Sequence, residues 1–115
     1  MRRIMLSLTF LAALGGMAPA SAAWMWTGWE EVQGQDMCID ILANGMPALG
    51  FRPNVTGDRQ TVFGWRGEDG IAVRCIGDRG LAAIFVHTST TSAEVNQLGE
   101  AVRNMLRNQG RGGKF

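Results

Sequence analysis

Three apolar segments, separated by two short glycine-rich turns, occupy the middle of the chain and restrict its fold more than any other feature. The segments cover residues 61–65, 71–76 and 81–87, and the turns cover residues 67–70 and 77–80. β-Branched and aromatic runs bounded by glycine and aspartate are typical of strands, and such short gaps join neighbouring strands as hairpins. The pattern therefore predicts an antiparallel sheet whose central strand is the third segment.

Helical patterns flank these strands on both sides. Thr91 and Glu94 form a capping box, and apolar residues recur at helical spacing from there to about residue 108. Residues 35–49 form the other pattern, in which Pro47 is expected to bend the last turn and Gly50 to end it. We predict an α+β fold of order (β)αβββα, with two helices packed on one face of a three- to four-stranded antiparallel sheet. The tryptophan-rich segment 24–29 is the candidate fourth strand, beside the third segment.

The first hairpin predicts which side chains face the helices. A turn centred on residue 68 gives the inward pairs Trp65–Ile71, Phe63–Val73 and Thr61–Cys75. The second sheet face is then expected to hold Val62, Arg74, Ile76, Leu81, Phe85 and His87. Such a face is too apolar to be left to water. We expect the tryptophan segment or a partner to cover it.

The first 23 residues have the composition of an export signal. Arg2 and Arg3 precede a mainly apolar run of eleven residues, Ile4–Leu14, and small residues follow, so cleavage is expected after Ala22 or Ala23. An uncleaved membrane anchor would need about 20 apolar residues. We predict a signal peptide over 1–23, a single domain over 24–109 and a flexible tail over 110–115. The mature protein is expected to be bacterial, periplasmic or secreted, and without an integral membrane segment.

Length and charge exclude several classes of protein. The chain has 115 residues, with 11 basic and 10 acidic side chains, and removal of Arg2 and Arg3 leaves nine basic residues against ten acidic. One domain of this size excludes large multidomain enzymes. A charge so close to zero argues against a nucleic-acid partner, which requires a basic surface.

Cys38 and Cys75 are the only cysteines in the sequence. In an exported chain an even pair predicts a disulfide. The two lie too far apart for a CxxC redox motif, and the chain has a single histidine, so a zinc site lacks ligands.

Candidate catalytic and cofactor residues are few. His87 is the only histidine, and a general base there would need a carboxylate or nucleophile beside it. Met25, Met37, Met46 and His87 could imitate a copper(I) site, but core packing explains methionines more simply. We expect no metal and no cofactor.

The layout from Cys38 to Ile76 resembles that of a group of small exported bacterial proteins without an assigned activity. It has a cysteine-initiated helix ending in Gly50-Phe51, and a strand with Ala72 before Arg74-Cys75. Between them lies Val-Phe-Gly-x-Arg-Gly, here Val62-Phe63-Gly64-Trp65-Arg66-Gly67. The resemblance covers about two-thirds of the mature chain and implies architecture and export, with no catalytic residues. Pro47 departs from the uninterrupted helix of the group.

These observations predict an exported binding or interaction domain without catalytic activity of its own. Aromatic side chains are the usual anchors of such surfaces. The candidate binding surface consists of Trp24, Trp26, Trp29, Arg74, Phe85 and His87. The expected partner is another protein, or a second copy that associates through the sheet face or the N-terminal tryptophans. Two alternatives stay open, namely a small periplasmic enzyme or enzyme accessory that uses His87, and a structural homodimer.

Overall fold

The computed structural model describes residues 23–112, with side chains as far as residue 108. The strands are β1 (Trp24–Glu31), β2 (Arg52–Val55), β3 (Thr61–Arg66), β4 (Asp69–Ile76) and β5 (Leu81–Thr88). The helices are α1 (Gln35–Gly45) and α2 (Ser92–Gly112). All strand pairs are antiparallel, in the order β1-β5-β4-β3-β2, and both helices pack on one side of the sheet. The predicted α+β class is confirmed, whereas the signal peptide up to Ala22 lies outside the described residues.

The sheet has five strands, one more than the upper prediction. β1 lies beside β5, as expected for the tryptophan segment. The unpredicted strand is β2, which pairs with β3 at the opposite edge. Its sequence includes Pro53, which has no N–H to donate and is tolerated in a sheet only at an edge. The element order is therefore βαββββα.

The predicted register of the first hairpin is wrong by one residue. Arg66 pairs with Asp69, so only Gly67 and Glu68 form the loop between β3 and β4. Gly67 has a φ of 58°, a left-handed conformation that glycine adopts without the strain of a side chain.

The shift reverses the orientation of every side chain in β3, because successive residues of a strand point to opposite faces. Val62 was expected on the far face, but it is fully buried under the helices. Phe63 and Trp65 were expected to face the helices, but they lie on the far face, with Trp65 exposed. Thr61 lies on that face as well.

Both helices follow their sequence patterns closely. α1 ends at Gly45, and Pro47 lies in a short 3-10 turn that ends at Gly50 with a φ of 82°. At the start of α2, the backbone N–H of Glu94 donates to the hydroxyl of Thr91 at 3.1 Å. This helix continues to Gly112, beyond its predicted end near residue 108.

The predicted disulfide between Cys38 and Cys75 is present and joins α1 to β4, with a Cα–Cα distance of 6.0 Å. Both cysteines are buried in the single core between the helices and the sheet. A second tie is Arg66 at the end of β3, which pairs with Asp69 at 3.0 Å and donates to the carbonyl of Leu49 at 3.0 Å. These contacts fix the helix layer on one sheet face and leave the other face free.

Candidate functional site

One face of the sheet is not covered by any element within residues 23–112. We call it the open face, and its side chains alternate along each strand with those that pack on the helices. Four rows of residues cross it, as the strand registers define. Three rows span four strands, namely Met25–His87–Gly70–Trp65, then Thr27–Phe85–Ala72–Phe63, then Trp29–Ala83–Arg74–Thr61, and the fourth row, Glu31–Leu81–Ile76, spans three.

Four large apolar side chains of the open face are in contact with solvent. The exposed fraction is 71% for Met25, 57% for Trp29, 51% for Trp65 and 45% for Phe85. Burying a large apolar side chain stabilises a folded protein by about 1.5–3 kcal/mol. Because these four side chains stay exposed, the isolated domain gains only part of that stabilisation. Exposed apolar side chains grouped on one face are typical of interaction surfaces.

A shallow groove of about 300 Å³ crosses the open face over β4. Its floor includes Gly70 and Ala72, the two smallest side-chain positions of that strand's open face. Aromatic residues of β3 and β5 form its walls, and His87 is the only titratable residue among those that line it. Recognition in this groove therefore depends on shape and apolar contact.

His87 stands at one end of this groove and acts as part of its wall. Its imidazole lies over Gly70, in the space that a Cβ atom at position 70 would need. It also makes an edge-to-face contact with Trp65, with ring centroids 6.4 Å apart. No carboxylate pairs with this imidazole among residues 23–108. The geometry offers His87 no partner for acid–base catalysis within those residues.

The structure divides the candidate binding residues between the two sheet faces. Trp29, Arg74, Phe85 and His87 lie on the open face. Trp24 and Trp26 lie on the helix face, which corrects the grouping that the sequence suggested. Successive residues of a strand point to opposite faces of the sheet. The three tryptophans of β1 are therefore divided between the helix face and the open face.

Sequence reasoning missed three open-face residues, namely Met25, Phe63 and Trp65. Phe63 and Trp65 were missed because the hairpin register was wrong by one residue. The signal for the correct register was Gly67, since a two-residue loop favours glycine at a positive φ.

Polar side chains surround the apolar centre. Arg74 donates a short hydrogen bond to the side-chain oxygen of Gln60, which draws its guanidinium toward the loop before β3. Arg52 on β2 is exposed beside Trp65, and Glu31 is exposed at the end of β1. The open face thus has the apolar centre and polar rim that are typical of protein interfaces.

A separate cavity of about 180 Å³ lies between the end of β1 and the two helices. Glu30 lines it, is 12% exposed, and accepts a hydrogen bond from Arg107 at 2.8 Å. Burial alone would raise the pKa of Glu30, but this hydrogen bond, the Glu31 backbone N–H and the charges of Arg107 and Arg103 lower it below the ordinary value. The carboxylate is therefore ionised and tied to α2.

Metal binding and membrane insertion find no support within the described residues. No three His, Cys, Asp or Glu side chains lie close enough there to hold a metal ion. The methionines of the copper alternative do not converge, because Met46 is buried in the core and Met37 lies on α1, whereas Met25 lies on the open face. No helix of residues 23–112 has the length and apolar character needed to cross a bilayer.

Neither a protein-family model nor a curated protein matches the chain.

Proposed function

We propose that this protein is a small exported binding domain that engages a protein surface through its open face and has no catalytic activity of its own. The observation that carries this proposal is the set of exposed apolar side chains on one sheet face, including Trp29, Trp65 and Phe85. Aromatic side chains lose little conformational entropy on binding and bury large areas. A sheet held by a disulfide presents them without further ordering.

The chemistry of the open face favours binding over catalysis. Its one histidine packs against Gly70 and Trp65, and its rim contains Arg52, Arg74 and Glu31. A partner that supplies an apolar patch with acceptor groups around it would match this arrangement.

Export is the second part of the proposal. It is supported by the leader-like composition of residues 1–23 and by the disulfide between Cys38 and Cys75, which is compatible with an oxidising compartment. The layout shared with small exported bacterial proteins supports it as well.

Site-specific photo-crosslinking in exporting bacterial cells tests the binding surface. We expect p-benzoylphenylalanine in place of Phe85 to give one discrete protein adduct. The matched control is the same group in place of Gln97, which is exposed on α2, and we expect no adduct there. The Phe85 adduct should weaken when Trp29 is replaced by serine. Absence of an adduct at Phe85, or the same adduct at both positions, would contradict the proposal.

A further inference from the structure

We infer that the occupant of the open face is a second copy of this chain, packed sheet against sheet in a symmetric dimer. The inference rests on the proposed function, because it names the partner of that same surface. It depends on the size pattern of the side chains, on the area of the face and on its charge.

In two adjacent rows of the open face, large and small side chains alternate like the squares of a checkerboard. The row Thr27–Phe85–Ala72–Phe63 reads small, large, small, large. The adjacent row Trp29–Ala83–Arg74–Thr61 reads large, small, large, small. In these two rows, each of four neighbouring strands therefore contributes one small and one large residue.

A two-fold axis turns this pattern into self-complementarity. We place the axis in the plane between the two sheets, perpendicular to the strands and midway between these two rows. The first row of one copy then lies over the second row of the other copy. Phe85 of one copy then lies over Ala83 of the other, and Trp29 lies over Thr27. In a symmetric interface each such contact occurs twice. Two copies of one sheet also have the same twist, which aligned face-to-face packing requires.

The face has the dimensions of one side of a stable interface. Strands lie about 4.8 Å apart and rise about 3.3 Å per residue, so five strands of up to eight residues cover a footprint of roughly 20 by 25 Å. The accessible area of such a corrugated surface exceeds its footprint. A standard interface buries about 800 Å² per partner, which is comparable.

Charge permits the association of identical chains and gives no attraction to an anionic membrane. Without Arg2 and Arg3 the chain has nine basic and ten acidic residues, so two copies with this charge repel each other weakly, whereas binding to anionic lipid needs a basic cluster. A small apolar ligand fits less well, because ligand sites bury about 70–90% of their ligand and the groove over Gly70 is open to solvent. Arg74 already donates a hydrogen bond to Gln60 within one copy, which offsets part of the cost of covering its stem.

A size exchange between residues 83 and 85 tests the dimer and its geometry together. Both variants are made in the mature protein. In a dimer of the Phe85→Ala variant, two small side chains face each other at each contact between positions 85 and 83. In a dimer of the Ala83→Phe variant, two large side chains face each other there. We expect wild type to be dimeric by light scattering and sedimentation at micromolar concentrations, and each variant to dissociate about 100-fold more readily, since each substitution acts twice. Mixing the two variants pairs a small residue with a large one at both contacts. We therefore expect the mixture to form a one-to-one heterodimer.

The controls separate association from folding. Ala93→Phe adds the same ring on exposed α2 and should leave the dimer unchanged, and all variants should retain the disulfide and the far-UV circular dichroism of wild type. A monomeric wild type, a dimer that survives both single substitutions, or a mixture that stays monomeric would overturn the inference. An adduct of Phe85 with a different protein would overturn it while supporting the proposed function. Absence of any Phe85 adduct from a wild-type dimer would contradict both.

Discussion

The indole ring of Trp26 lies against Gly99 of α2, in the space that a Cβ atom at position 99 would occupy. This contact closes the gap between β1 and the helix layer and leaves Trp26 half-buried against the core. It explains why one tryptophan of the N-terminal segment belongs to the fold while Trp29, on the other face, remains exposed.

Gly99→Ala is expected to destabilise the protein although alanine is the better helix former. The gain in helix propensity is about 1 kcal/mol, whereas a methyl group overlapping a large, rigid ring costs about 1–3 kcal/mol. We expect a net loss of about 1 kcal/mol in the free energy of unfolding, measured in urea. Gly57→Ala, where no atom lies within 4 Å of the added methyl, is the control and should be neutral. A stabilised Gly99→Ala variant would refute the packing argument.

The corrected register makes opposite predictions for two adjacent residues of β3. Val62→Ala removes a fully buried side chain and should cost about 2 kcal/mol in transfer and cavity terms. Phe63→Ala alters the open face, and in protein diluted below the dimerisation range it should cost less than about 1 kcal/mol. Urea unfolding of both variants checks this order. A larger loss for Phe63→Ala would restore the register in which Phe63 faces the helices.

The disulfide should provide a large share of the stability of such a small domain. Cys38 and Cys75 are 37 positions apart, and constraint of the unfolded chain by a loop of this length contributes up to about 4 kcal/mol. We expect the double variant Cys38→Ser, Cys75→Ser to lose about 2–4 kcal/mol in oxidising buffer. Reductant should lower the stability of wild type and leave the variant unchanged. Equal urea midpoints for both proteins in oxidising buffer would contradict this expectation.

The ion pair of Glu30 and Arg107 should make stability depend on pH. The folded state lowers the pKa of Glu30 below its unfolded value. Its ionised form therefore stabilises the fold above the unfolded value of about 4.3, and this contribution is lost as the pH falls through the folded pKa. At neutral pH, Glu30→Gln should cost on the order of 1 kcal/mol. The difference from wild type should shrink at acidic pH.

The matched control for that experiment is Glu100→Gln. Glu100 pairs with Arg103 at 3.1 Å, but its side chain is 52% exposed, and exposed pairs on helices contribute only about 0.3–0.5 kcal/mol. A pH-independent effect of Glu30→Gln, or an equal effect of both substitutions, would argue against the tie between β1 and α2.

Processing of the leader is directly measurable. When the full chain is exported from a Gram-negative host, we expect intact mass and N-terminal sequencing to give a first residue of Ala23 or Trp24. Replacing both Ala22 and Ala23 with arginine should leave the precursor uncut, because signal peptidase requires a small residue immediately before the cleavage site. An exported protein that still begins at Met1 would disprove the predicted signal peptide.

The sequence by itself determined those features that depend on local chemistry. The cap at Thr91, the apolar stripe of α2, the break of the first helix near Pro47 and the end at Gly50 follow from interactions within a few residues. The disulfide was predictable because only two cysteines exist. The pairing of β1 with β5 was predictable because the tryptophan segment was the remaining run with alternating aromatic residues.

Only the tertiary structure decided which face each strand residue occupies. A shift of one residue at Gly67 moved Val62 into the core and Phe63 and Trp65 onto the open face. Gly67 favours the two-residue loop, but a loop longer by one residue is also compatible with the local sequence, and both registers give similarly apolar pairs. β2 escaped prediction because Pro53 reads as a strand breaker unless its edge position is known. The exposure of Trp29 and Phe85 likewise depends on what lies above the sheet, which only the packing of distant elements determines.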